Sequence, residues 1–489
     1  MCAMSAMRAM PLVLVAAIAI AHGETRPRYG DTVEAALLGA PVTLDPIAAQ
    51  TSAELTVVGL VFDTLYTIGS DGAVQPHLAL GPPVLDAARG TAHVALRRGV
   101  VFHDGAPLAP GDVAASLERV RGKLTWLLAP VTAIRAAGDG VDLVLRAPNA
   151  FLAQLLALPQ TAITRHGQPP AAARPIGSGP FTVESFEPAN KKLVLKAFDN
   201  HFAGRPYLDR LVLGWFDTPD GEARRFETGA AQLSARGVAA FAGARPKYAA
   251  SEVESPAAVL LFVGFGRQHA QLTGDRGFRK ALDLALDRGA LATITTGEHT
   301  QPTRLPLPIE AGAATLDAAG RAGDAAAARG VLAEVARRVP ALAAGLKLAI
   351  LVDETRPDDR ELALRVARGL DRLNIGFTIE AVPAGRLRER AARGDCDLWI
   401  GQLAAPISVA AAWWGAAFAA GNDDWAAIRL AAGPLDPVAA SAEFARRLPI
   451  VPLMFRSLLV WHRTEVHGLG FDASARPGLA DMYWLKGKP

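Results

Sequence analysis

His103 and Asp104 are adjacent in the stretch VFHDGAPLAPGDVAASLERV, residues 101–120, and both are residue types that carry acid–base and metal chemistry. A secreted hydrolase could use such a pair, and so could a metal site. The same residues also form a common turn, because Asp bonds to nearby backbone and the following Gly105 tolerates a positive φ. Taken alone, the pair favours the turn, and a catalytic site would need further partners.

Partners for a catalytic or metal site are missing from the sequence. It contains no G-x-S-x-G elbow, no P-loop, no G-x-G-x-x-G and no H-E-x-x-H. His462 and His467 are spaced wrongly for one helical face, and Cys396 in GDCDLWI is typical of a small buried hydrophobe. We therefore expect no catalytic residue, no metal site and no cofactor.

The elements that position His103 and Asp104 are a strand and a helix. TAHVALRRGVVF, residues 91–102, alternates apolar and other residues with period 2, which predicts a half-buried strand. Pro110 suits a first helical position, and Val113, Leu117 and Val120 mark the buried face of a helix. The HDG tripeptide is thus predicted to be the corner between them.

The later sequence predicts a parallel α/β unit. LKLAILV from Leu346 is a buried strand, DDRELALRVARGLDRLN is a helix, FTIEAV is the next strand and CDLWIGQL is another. Strand, helix and strand in this order indicate a parallel sheet. GFRKALDLALDRGAL predicts one amphipathic helix. The fold class is therefore α/β.

Composition and length limit the classes of protein that fit. The 489 residues suggest two or three domains, and a net charge of +3 without a basic tract argues against nucleic acid as a partner. Arg8 precedes an apolar run, residues 10–21, that is typical of a cleaved signal peptide over residues 1–23. Cys2 is too early to carry a lipid anchor, so we expect an exported protein rather than a lipoprotein.

Several segments occur in an order that is itself informative. They are LDP at Leu44, VALRRGVVFHDGAPLAPGDVAASLERV at Val94, APNAFLAQLLA at Ala147, PIGSGPF at Pro175, NHFAGRPYLDRL at Asn200, FRKALDLALDR at Phe278, DCDLWIGQL at Asp395 and PIVPLMF at Pro449. This series resembles the bacterial extracellular solute-binding proteins of family 5, which serve ABC importers of oligopeptides, dipeptides and nickel. The likeness covers nearly the whole chain that follows the signal peptide.

The resemblance implies a two-lobed periplasmic-binding-protein fold of type II, with a hinge between the lobes and an extra inserted subdomain. The first lobe would be discontinuous, over 24–49, 174–268 and 455–489. The inserted subdomain would span 50–173 and the second lobe 269–454. The implied protein is a monomer without enzymatic activity, which captures a small solute between closing lobes and delivers it to a membrane permease. A ligand-sensing accessory protein for a membrane receptor and a secreted hydrolase remain as alternatives.

The chain departs from the family where peptide binders carry Trp-x-x-Asp-Tyr-Pro-Asp-Pro. Leu403 stands in place of the Trp and Pro406 in place of the Asp, and no carboxylate occurs between Asp397 and Asp423. A buried ammonium needs a partner charge. We therefore expect a solute other than a peptide with a free amino group, such as a sugar or an apolar metabolite.

Candidate ligand-binding residues follow from the same region and from the family pattern. Trp413 and Trp414 offer flat apolar surface for stacking on a ligand, or equally they pack in the core of the second lobe. The family pattern places further candidates in the cleft between the lobes. Each of these residues could equally have a purely structural role. The expected ligand-binding set is Trp413, Trp414, Gln402, Phe265, Arg267, Phe62 and Tyr66.

Overall fold

The computed structural model describes residues 27, 29–147, 149, 151–237, 240, 245–294, 297–312 and 323–485. The signal peptide expected over residues 1–23 lies outside these residues. Within the described ranges, no helix combines the length and the apolar composition that crossing a membrane requires.

Strands and helices both occur throughout the described residues. The strands are β1 (Thr32–Leu37), β2 (Tyr66–Ile68), β3 (Val74–Pro76), β4 (Val84–Asp86), β5 (Thr91–Ala95), β6 (Val131–Ala137), β7 (Gly140–Leu145), β8 (Phe181–Glu187), β9 (Lys192–Ala197), β10 (Arg210–Trp215), β11 (Leu233–Ser234), β12 (Ala250–Glu254), β13 (Val259–Phe265), β14 (Gln301–Pro302), β15 (Lys347–Asp353), β16 (Gly376–Val382), β17 (Leu398–Ala404), β18 (Val451–Arg456), β19 (Leu459–Arg463), β20 (Val466–His467) and β21 (Tyr483–Trp484). The helices are α1 (Ser52–Val61), α2 (Pro110–Lys123), α3 (Leu152–Leu155), α4 (Pro219–Glu227), α5 (Ala270–Thr273), α6 (Arg276–Ala285), α7 (Arg288–Ala292), α8 (Ala325–Ala336), α9 (Pro357–Asp371), α10 (Ala384–Arg393), α11 (Ala410–Ala420), α12 (Trp425–Ala432) and α13 (Pro437–Arg447).

Three sheets define the parts of the molecule. The first lobe is built on a sheet with the strand order β12-β19-β11-β1-β10-β9-β8, and the second lobe on a sheet with the order β14-β18-β13-β17-β15-β16. The insert is built on the sheet β4-β5-β7-β6, against which α2 packs. This arrangement confirms the predicted α/β fold with two lobes.

The predicted α/β unit forms the centre of the second lobe. β15 pairs in parallel with β16 on one side and with β17 on the other, and α9 connects β15 to β16. The prediction of one helix over GFRKALDLALDRGAL was wrong. α6 ends at Ala285, and the carboxylate of Asp287 accepts a hydrogen bond from the Ala290 backbone nitrogen at 3.0 Å to cap a separate helix, α7.

Two adjacent chain segments connect the lobes. One runs from β12 to β13 and the other from β18 to β19, and they are joined by hydrogen bonds from the Ser255 nitrogen to the Leu458 carbonyl oxygen at 2.8 Å and from the Leu458 nitrogen to Ser255 Oγ at 2.7 Å. Few residues therefore link the lobes, which is the arrangement that hinge closure needs.

The expected boundaries between the parts need correction. We expected the first lobe to include 174–268 and to resume at 455, but β13 and β18 belong to the sheet of the second lobe, so that lobe begins near 259 and ends near 456. We expected the insert to begin at 50, but the apolar face of α1 packs in the core of the first lobe. These boundaries depend on which strands pair, and the sequence motifs do not show this.

His103 lies in a turn, as predicted, but the strand predicted over 91–102 is shorter, because β5 ends at Ala95. Gly105 has φ +81°, its nitrogen donates to the Phe102 carbonyl oxygen at 2.8 Å, and α2 begins at Pro110 as predicted. Val113, Leu117 and Val120 are buried in the core of the insert. The stretch is a turn that leads into a packed helix.

Candidate functional site

A cavity of about 400 Å³ lies between the two lobes and the insert. This volume falls within the usual range of small-molecule sites, about 300–1,000 Å³. Its lining comes from all three parts: Val42, Ile47, Ala49, Gln50 and Thr51 from the first lobe, Lys123, Leu124, Thr125, Trp126, Leu158 and Gln160 from the insert, and Phe262, Asp353, Arg356, Ala384, Leu387, Arg388, Ala391, Ala392, Trp399, Ile400, Gly401, Gln402, Leu403, Ala404, Ala405, Ala412, Ala416, Ala419, Ala420 and Asn422 from the second lobe.

Arg356 brings a buried guanidinium to the cavity, from the loop that follows β15. Its Nε donates to Asp353 at 3.0 Å and its Nη2 lies 2.8 Å from Asp359, while Nη1 has no hydrogen-bond partner among the described residues. A buried donor left without a partner is unfavourable. Arg356 lines the cavity, but Nη1 itself is buried, so an acceptor oxygen on a ligand would reach it only after a local movement of the side chain.

Asp353 is the carboxylate that lines this cavity, and it is already engaged. Its oxygens accept from the Thr355 nitrogen at 2.9 Å, from Thr355 Oγ1 at 2.8 Å and from Arg356 Nε at 3.0 Å. A ligand ammonium would have to compete with these donors.

Gln402 adds a second polar group, near the carboxyl end of β17. Its side chain is buried, and neither amide atom has a hydrogen-bond partner among the described residues. An amide presents a donor and an acceptor side by side. Both amide atoms are buried, so a ligand group that offers a donor and an acceptor would meet them only after a local rearrangement of the cavity wall.

Aromatic and small residues form the apolar part of the cavity. Trp399 meets Phe262 edge-on, with ring centroids 5.0 Å apart. Trp126, from the insert, lies against Gly415 of α11 so closely that a Cβ on Gly415 would be 2.3 Å from the Trp126 ring. The alanines of α11 that line the cavity keep this wall open for a flat apolar group.

Trp413 and Trp414 lie elsewhere. Both are fully buried, and neither lines the cavity. Trp413 packs edge-on against Phe455 with centroids 5.0 Å apart, and its Nε1 donates to the Pro406 carbonyl oxygen at 3.1 Å, while Trp414 packs against Phe444. We therefore correct the stacking interpretation, because the core interpretation describes both positions.

The candidates taken from the family pattern also lie outside the cavity lining. Phe62 is buried in the first lobe, and Tyr66 is buried with its hydroxyl donating to the Gly81 carbonyl oxygen at 2.9 Å, where burial raises the pKa of its phenol. The ring of Phe265 is covered by Arg279 at 4.5 Å, and Arg267 donates to the Arg393 carbonyl oxygen at 2.8 Å. Of the expected set, the structure brings only Gln402 to the cavity.

Sequence reasoning missed Trp126, Arg356, Arg388 and Trp399. One of them, Arg356, could have been found, because ligands of open α/β sheets bind at the carboxyl ends of the strands. The parallel neighbours β15 and β17 were both predicted, and Arg356 and Gln402 lie at that edge. Trp399 lies near the start of β17 and gave no such signal. Trp126 and Arg388 gave none because their partners are distant in the sequence.

The His103 and Asp104 side chains are occupied by structural bonds. His103 Nε2 lies 3.0 Å from the Gly179 carbonyl oxygen, and its Nδ1 accepts from the Gly177 nitrogen at 3.3 Å, while burial lowers the pKa of the ring. Asp104 accepts from the Ala106 nitrogen at 3.0 Å and pairs with Arg165 at 3.3 Å. In the described residues, no cluster of His, Cys, Asp and Glu is arranged to hold a metal ion.

A family model described as "Bacterial extracellular solute-binding proteins, family 5 Middle" matches residues 73–424. The chain is similar to the uncharacterized protein YhjP of Bacillus subtilis, with 30% identity over 55% of this chain and 44% of YhjP, and it spans about half the length of the curated relatives it matches.

Solved structures show the same fold at low sequence identity. The oligopeptide-binding protein AppA of Bacillus subtilis, in complex with a nonapeptide, has a TM-score of 0.75 and 16% identity over 94% of this chain and 100% of AppA. NikA of Staphylococcus aureus, in complex with Ni(L-His)2, has a TM-score of 0.77 and 16% identity over 93% of this chain and 100% of NikA. These likenesses support the two-lobed architecture.

Proposed function

Since the chain belongs to the bacterial extracellular solute-binding proteins of family 5, we propose that it is the periplasmic substrate-binding component of an ABC importer. It acts as a monomer, captures a small solute between its lobes and delivers it to a membrane permease. The observation that carries this proposal is the cavity lined by both lobes and the insert. A solute that contacts both lobes binds the closed form more tightly and shifts the population toward it.

The cavity also favours one class of solute. Among the described residues, Arg356 Nη1 and the amide atoms of Gln402 are buried without hydrogen-bond partners, whereas Asp353 is already held by Thr355 and Arg356. We infer that the solute carries a carbonyl or carboxylate oxygen for Arg356, an amide-like group for Gln402 and a flat apolar part, and that it has no free ammonium group. This agrees with the absence of the acidic segment that peptide binders carry.

Thermal unfolding against matched peptide pairs tests the class of solute. Each pair has one sequence, once with a free amino group and once N-acetylated, and sugars and aromatic carboxylic acids complete the panel. We expect saturable stabilisation by compounds without an ammonium group. Equal stabilisation by both members of each pair would contradict the inference about charge. No saturable binding, together with no small molecule in native mass spectra of the purified protein, would overturn the proposed function.

Gln402→Leu tests the site itself. In ligand-stripped protein, the substitution replaces a buried amide without partners by an apolar group of similar shape, and we expect the free energy of unfolding to rise by about 1 kcal/mol. Stabilisation by any solute that the panel identifies should be lost. The matched control is Gln232→Leu, because Gln232 lies outside the cavity lining and donates to the Gly229 carbonyl oxygen at 2.8 Å, so its loss should lower stability.

A further inference from the structure

Arg388 of α10 joins the second lobe to the first across the wall of the cavity. Its Nη2 lies 2.7 Å from both carboxylate oxygens of Glu54 in α1, and its Nη1 donates to the Ala48 carbonyl oxygen at 3.2 Å. The Glu54 side chain is completely buried, and that of Arg388 is 24% exposed. Because the partners belong to different lobes, these bonds can form only while the lobes are together.

Glu54 is held in place from within its own lobe. Its carboxylate accepts from the backbone nitrogens of Val42 at 3.1 Å, Gln50 at 2.9 Å and Thr51 at 3.1 Å. The bond to Thr51 is half of a capping box at the start of α1. The carboxylate is therefore fixed before Arg388 reaches it, and the backbone it fixes is the part of the first lobe that lines the cavity.

Separation of the lobes would leave these three backbone bonds intact and remove only the bonds to Arg388. The closed form alone therefore gains a charge-assisted pair, and this gain adds to any preference that a ligand has for the closed form. We propose that Arg388 is a positioning residue, which holds the second lobe against Glu54 and so sets the closed fraction of the free protein and its affinity for the solute. The effect on affinity rests on the proposed function, but the effect on closure does not.

The distance between the lobes in ligand-free protein tests the proposal. Spin labels are placed at Lys192→Cys in the first lobe and Leu364→Cys in the second, both exposed positions. The native Cys396 is buried, and burial raises the pKa of its thiol to about 11, so the introduced cysteines react selectively. Double electron–electron resonance then gives the distribution of distances between the two spin labels. We expect Arg388→Met to raise the ratio of open to closed molecules about tenfold to hundredfold, as the loss of hydrogen bonds to a charged group implies.

Two further variants separate closure from folding. Arg388→Lys keeps the charge but lacks the forked donors, so we expect a smaller shift toward the open form. Arg386→Met is the matched control, because Arg386 lies on the same helix and bonds at 2.7 Å to Glu389 within that helix. Its distribution should equal that of the wild type, and thermal unfolding should show that all variants fold.

An unchanged distribution in Arg388→Met, or an equal shift in Arg386→Met, would overturn the proposal. If Arg388→Met opens the lobes while no solute ever binds the wild type, the proposed function fails and the role of Arg388 in closure stands.

Discussion

The contact of Trp126 with Gly415 allows a sharp test of how the insert meets the second lobe. Gly415 lies inside α11, and a Cβ at this position would be 2.3 Å from the Trp126 ring. Ordinary contacts between carbon atoms are about 3.5–4.0 Å, so the ring would have to move by more than 1 Å. Gly415→Ala therefore forces apart two parts of the molecule that line the same cavity.

The expected change in stability is the difference of two effects. Gly→Ala in a helix interior stabilises by roughly 0.5–1 kcal/mol, because glycine loses more backbone entropy on folding. Overpacking a close contact costs about 1–3 kcal/mol. We therefore expect Gly415→Ala to lower the free energy of unfolding by about 1–2 kcal/mol. The matched control is Gly330→Ala in α8, where a Cβ would meet no atom within 4 Å. This variant should show only the stabilisation that alanine gives to a helix interior.

Urea unfolding, followed by circular dichroism, measures both variants. The decisive comparison adds Trp126→Ala, because without the indole ring Gly415→Ala should become stabilising, as Gly330→Ala is. A Gly415→Ala protein that is stabilised as much as Gly330→Ala, with Trp126 present, would show that the ring does not rest on α11, and the reasoning would be refuted.

Two further predictions concern buried titratable groups. Burial raises the pKa of Asp359 from 3.8 to about 6, so the folded protein binds a proton that the unfolded chain releases, and the free energy of unfolding should fall by roughly 3 kcal/mol as the pH rises from about 4 to about 6. Asp359→Asn should flatten this dependence of the free energy of unfolding on pH, measured by urea unfolding. If the variant and the wild type have the same dependence, other groups cause it. His103→Ala should lower stability by about 1–2 kcal/mol, since it leaves the Gly177 nitrogen and the Gly179 carbonyl oxygen without their ring partner. A hydrolytic activity that this variant abolishes in folded protein would instead support the hydrolase alternative.

The elements of the fold were predictable where local signals agreed. β15 and β17 were recognised as apolar runs and α9 from its helical periodicity, and the parallel pairing of β15 with β16 followed from the order of strand, helix and strand. The prediction of one helix over residues 277–291 failed at Asp287, because an acidic side chain that caps a new helix looks the same in sequence as one on the exposed face of a continuous helix.

Trp413 and Trp414 show why the site was harder to predict than the fold. α11 is apolar almost all round, with the sequence AAAWWGAAFAA, so periodicity does not say which face meets solvent and which meets the core. Only the packing of Phe444 and Phe455 against the two indoles decides it. Contacts such as Glu54 with Arg388 join residues 334 positions apart, and no local pattern encodes such a distance.

The missing acidic segment is the sequence feature that bears most directly on the proposed class of solute. The nearest carboxylates on either side of the gap are both engaged. Asp397 accepts from the Ala349 nitrogen at 2.9 Å and lies 2.7 Å from His269 Nδ1, and Asp423 pairs with Arg447 at 3.0 Å. Neither lines the cavity, whereas Arg356 does, with one donor free of partners among the described residues. These positions are the reason why we propose a solute that brings an acceptor oxygen rather than an ammonium group.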